Sequence, residues 1–106
     1  MFSINPKPTF AAEVAISVAG GGTEKLQLVF KHKTRDEVKA FFAQAGAGAD
    51  DQSDADVLLE IVAGWEDVDV PFSREALDQL VQNYPSAPRA IFDAYLAELT
   101  GRRRGN

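Results

Sequence analysis

The feature that most constrains this chain is a change of hydrophobic period near Thr34. Before it, two stretches alternate with period two. In AEVAISVAG, Val14, Ile16 and Val18 point one way while Glu13, Ala15 and Ser17 point the other. In KLQLVFKHK, Leu26, Leu28 and Phe30 share a face, with Gln27, Val29 and Lys31 opposite. GGGTE lies between them, and such a glycine-rich connection joins antiparallel strands. The pattern predicts a β-hairpin over 11–33. Two strands alone are marginal in water, so a third strand or a helix must cover the apolar face. Phe2 and Ile4 offer a short edge strand, whereas Pro6 and Pro8 favour an extended arm over 1–10.

After Thr34 the period is helical. TRDE is a capping box, with Thr34 as N-cap and Glu37 reaching back, and Val38, Phe41 and Phe42 form one apolar stripe that stops at Gly46. GAGADDQ reads as a loop. Ser53 caps a second helix carrying Val57, Leu58, Ile61 and Val62, which ends at Gly64. WEDVDVPF reads as an irregular connection. Ser73 caps a third helix with Leu77, Leu80 and Val81, ending near Tyr84-Pro85. Ser86 and Pro88 open a fourth, whose stripe is Ile91, Phe92, Tyr95, Leu96 and Leu99, closed by Gly101. The expected architecture is α+β: an N-terminal hairpin, of two or three strands, packed with three to four short helices. At 106 residues this is one domain, with the helical part over 34–100 and a basic tail over 101–106.

Charge is unevenly placed. Eight acidic residues and no basic one lie between Asp50 and Asp69, while the ending GRRRGN carries Arg102, Arg103 and Arg104. A net charge of −5 gives no basic face for duplex nucleic acid, and none is expected as a partner. No apolar run approaches the roughly 20 residues of a bilayer span, and the start lacks the pattern of a secretion signal, so a soluble, intracellular acidic domain is expected.

Chemistry is hard to find. With no cysteine and one histidine, thiol catalysis and multi-histidine metal sites are excluded. DDQSDAD fails as a calcium loop, because counting from Asp50 puts Ala55 at the sixth position and Ile61 at the twelfth. The glycines near Gly46 follow a helix without GK[ST], so no phosphate loop is read. His32 sits between Lys31 and Lys33, with no serine motif to complete a triad. No enzyme, cofactor or metal is expected. Phe30, Phe41, Phe42, Phe92 and Tyr95 are placed to face inward. Trp65 and Phe72 lie outside the periodic helices, where they either cover the core or anchor a partner.

KPTF near the start, FKHKTRDEVKAFF after the hairpin, GWEDVDVPFSREALDQLVQNYP and AIFDAYLAELTGRRRGN at the end stand in this order over nearly the whole chain. Together they resemble the tail assembly chaperones of long-tailed bacteriophages and prophages. The resemblance implies a non-enzymatic protein that binds the tape measure protein, keeps it soluble and helps recruit tail tube subunits in the infected host's cytoplasm. It implies absence from the finished particle. Some members also have a frameshifted, longer form, of which this sequence shows no sign. The expected contact residues are Trp65, Phe72 and Tyr84, with Arg102, Arg103 and Arg104 steering acidic segments. Two other readings compete: a structural tail protein of the tube or connector, and a small acidic regulatory protein-binding domain.

Overall fold

The computed structural model describes residues 1–47 and 53–101. The hairpin forms from β1 (Thr9–Ser17) and β2 (Thr23–Lys31), in antiparallel register from Thr9 opposite Lys31 to Ser17 opposite Thr23. Gly20, Gly21 and Gly22 all take left-handed backbone at its tip, φ +90°, +101° and +84°, which a side chain would resist. Alternation then works as expected: Val14, Ile16, Leu26, Leu28 and Phe30 are buried, and Glu13, Ala15 and Lys25 are exposed.

The third strand comes from an unexpected place. Phe2 and Ile4 form no strand and stand exposed. The sheet has the order β1-β2-β3, with β3 at Val62–Glu66. The expected second helix is accordingly short, α2 (Asp54–Leu58), and the stretch read as its end pairs antiparallel with β2. A bulge between Val29 and Phe30 sets Val62 opposite Phe30 and Trp65 opposite Leu28. Without it, residues three apart would fall on opposite faces; with it, both turn inward.

α1 (Arg35–Ala47) begins with the predicted reciprocal cap. Thr34 N–H donates to Glu37 Oε1 at 2.8 Å, and Glu37 N–H donates to Thr34 Oγ1 at 3.2 Å. The helix runs one residue past Gly46, since mid-helix glycine costs about 1 kcal/mol without forbidding the turn. The rest of the predicted GAGADDQ loop, residues 48–52, lies outside the described residues. Ser53 Oγ accepts from Asp56 N–H at 3.2 Å, and Ser73 Oγ from Ala76 N–H at 3.0 Å, capping α2 and α3 (Arg74–Asn83). α4 (Ala87–Thr100) starts after Ser86, whose hydroxyl makes no cap bond and donates instead to Ser17 O at 3.5 Å. Gly101 closes it with left-handed backbone, φ 76°.

One apolar core lies between the sheet's inner face and the helices, with no polar or charged residue buried among the described residues. α4 packs along β1. Tyr95 of α4 is fully buried between Phe10 and Phe30, ring centroids 6.1 and 5.1 Å away, and its hydroxyl donates to Lys31 O at 2.7 Å. Phe92 meets Phe41 and Phe42 at 5.9 and 5.8 Å, fixing α1 against α4.

Candidate functional site

Where the hairpin tip meets α3 and the turn after β3, a surface cleft of about 440 Å³ opens. Its apolar lining joins distant parts of the chain. Ile16 and Leu26 come from the hairpin, Trp65 from β3, and Leu80 and Tyr84 from α3 and its end. Glu24, Asp67 and Asp69 make an acidic border, with Lys25 as the cation. Lys25 Nζ lies 3.8 Å from Glu13 Oε1, so its charge is partly met outside the cleft. Val68, Val70, Ala76, Gln79 and Asn83 complete the lining.

The turn forming one wall is pinned to Trp65. The indole N–H donates to Val70 O at 2.9 Å, and Phe72 meets the indole edge to face, centroids 5.0 Å apart at 89°. Asp67 takes left-handed backbone, φ 58°, which aspartate tolerates better than most residues. The opposite wall is α3, tied to α2 by Arg74 Nε donating to Asp56 Oδ1 at 2.7 Å. This bond holds the Asp56 carboxyl below its ordinary range, and hydrogen bonding of that carboxyl with Ser53 lowers it further.

Of the expected contact residues, Trp65 and Tyr84 share the cleft, and Phe72 supports it through Trp65. All three are half-buried and packed against the core, so Trp65 and Phe72 do cover it, while Trp65 also lines an opening to solvent. Arg102, Arg103 and Arg104 lie outside the described residues. Sequence reasoning missed the hairpin's contribution, Ile16, Glu24 and Leu26, and the α3 residues Gln79 and Asn83. The one available signal was i, i+3, i+4 spacing of Ala76, Gln79, Leu80 and Asn83 on α3.

His32 is half-buried at the end of β2, its backbone N–H donating to Pro8 O at 2.8 Å. Among the described residues no group of three or more histidine, aspartate or glutamate side chains could hold a metal ion, and no helix is long and apolar enough to cross a membrane. The arrangement offers shape, apolar surface and negative charge: means of recognition.

Comparison with known families decides what kind. The model of the phage tail assembly chaperone family matches residues 1–106, the whole chain. The chain belongs to that family. Comparisons with curated proteins and with solved structures return no match. Membership among the tail assembly chaperones implies binding to tail proteins and suggests a role without catalysis.

Proposed function

We propose that this chaperone binds the tape measure protein in the host bacterial cytoplasm, keeps it soluble, helps recruit tail tube subunits around it, and is absent from the finished particle. The tape measure protein is a very long, largely helical and apolar chain, and such a chain needs its apolar faces covered before assembly. The supporting observation is the cleft, which Trp65 and Tyr84 line from half-buried positions at the edge of the core. A helix laid there would bury its apolar stripe against Ile16, Leu26, Trp65 and Leu80. Exposed acids and a net charge of −5 would keep the loaded complex dispersed. Arg102, Arg103 and Arg104 would steer acidic stretches of the partner.

Co-expression of the chain with the tape measure protein of the same phage or prophage tests the reading. The expected result is a soluble long partner that co-purifies with this chain. Tyr84→Ala, in a domain that remains folded by circular dichroism, should weaken calorimetric affinity by roughly ten-fold, as loss of an interface aromatic commonly does. No heat on mixing the folded wild-type protein with that partner would refute the proposal. Recovery of the chain from washed mature particles would favour a tube or connector subunit instead.

A further inference from the structure

The two walls of the cleft differ in chemistry. On the sheet side stand Glu24 of β2 and, in the turn after β3, Asp67 and Asp69. On the α3 side the polar lining is Gln79 and Asn83, both uncharged amides. Gln27 faces Glu66 in the ladder, so the chain beyond β3 runs back beside the residues that precede Gln27, and the three acids share one border. Lys25 is the cation of the lining, but its ammonium sits 3.8 Å from Glu13 Oε1. Glu13 is exposed beside buried Val14, so it stands on the sheet face turned away from the core.

Acid and apolar residues also alternate along that turn: Asp67, Val68, Asp69, Val70. All four line the cleft, Val68 half-buried and Val70 with 40% of its surface in solvent. The bond from Trp65 N–H to Val70 O, 2.9 Å, fastens the turn to the cleft floor. A lysine or arginine laid across it could rest its methylenes on the valines and bring its charge to the carboxylates. Gln79 and Asn83 offer donors and acceptors to uncharged polar groups instead.

Resting on the reading that a partner helix enters this cleft, we infer that the helix carries lysine or arginine along one flank of its apolar stripe, and that the unlike walls fix the direction in which it lies. With the stripe against Ile16, Leu26 and Leu80, the two flanks of the helix face the two walls. Turning the helix end for end exchanges the flanks. The cations would then face Gln79 and Asn83, and Glu24, Asp67 and Asp69 would lose their counter-charge. A groove with two like walls would accept both directions equally. On a long partner whose segments repeat the same basic flank, every bound chaperone would face the same way.

Calorimetry of the full chain with two synthetic helical peptides of about 18 residues, five turns, tests this. Both carry the same leucine stripe; one has lysines along a flank and the other has glutamates there. The lysine peptide should bind roughly ten-fold or more tightly, and lose most of that advantage in high salt. Asp67→Asn with Asp69→Asn changes two exposed positions and should bring the two affinities together, in a chain whose fold is checked by circular dichroism. Direction is read by nuclear magnetic resonance. A nitroxide on the first residue of the lysine peptide should broaden one set of amide signals around the cleft, and on the last residue another set. Moving the lysines to the other flank should exchange the sets. Equal affinity for the two peptides, no binding of the lysine peptide, or the same amides broadened from both ends would overturn the inference. So would peptide affinity that falls as protein concentration rises, since a second copy would then hold the cleft. A soluble tape measure complex formed equally well by the Asp67 and Asp69 variant would remove this inference alone, whereas absence of heat with the tape measure protein removes the reading beneath it.

Discussion

Trp65 carries two duties that separate on substitution. Its ring closes one side of the core and the cleft, while its N–H fastens the turn at Val70. Trp65→Phe keeps much of the contact with Phe72 and removes the N–H, so we expect a loss of about 1 kcal/mol in urea unfolding. Trp65→Ala removes both, and should cost about 2–3 kcal/mol with a loosened turn. Tyr95 is the other decisive side chain. Burial among apolar rings, with a smaller contribution from the Glu37 charge, pushes its phenol up to about 12 from the usual 10. The folded state then holds its proton where the unfolded chain releases it. Stability is thus fully present below about pH 10 and falls between pH 10 and 12. Tyr95→Phe should flatten that alkaline slope in denaturation curves, at the expense of the bond to Lys31 O. As single letters, Trp65 and Tyr95 were conspicuous in different ways. Tyr95 fell on a helical stripe and its inward position was readable, whereas its hydroxyl partner, 64 residues earlier, was not.

Elements with chemical signals at their ends were read well. The TRDE box, Ser53 and Ser73 are local devices whose bonds span three residues, so spacing alone locates them. The hairpin was legible for the same reason, through its glycine tip and strict alternation. β3 was hidden because the bulge gives its inward residues a spacing of three, which imitates a helix turn, and because VLLEIVAG is apolar almost throughout. What overrode the helical reading was β2, whose second edge needed hydrogen-bonding partners. The cleft was illegible as a unit, since it arises only when this hidden strand brings Trp65 against the hairpin tip and α3. Ser73→Ala tests that wall: losing one cap bond should lower stability by about 1 kcal/mol in thermal or urea unfolding. The ion pair between Arg74 and Asp56 is exposed, so it orients α3 against α2 more than it stabilises them.

For the whole molecule, the consequential feature is the place of α4. Ala87, Ile91, Ala94 and Tyr95 supply core surface that β1 cannot find elsewhere, although two strands and three helices separate them from it in sequence. During synthesis the hairpin emerges from the ribosome well before α4 and must wait, greasy side uncovered, until that helix has been translated. A stop codon at position 86 should therefore yield an insoluble fragment, recovered in the pellet after lysis, while the full-length product stays in the supernatant. A tail assembly chaperone would thus itself pass through a vulnerable interval on every round of translation, ended by the arrival of α4.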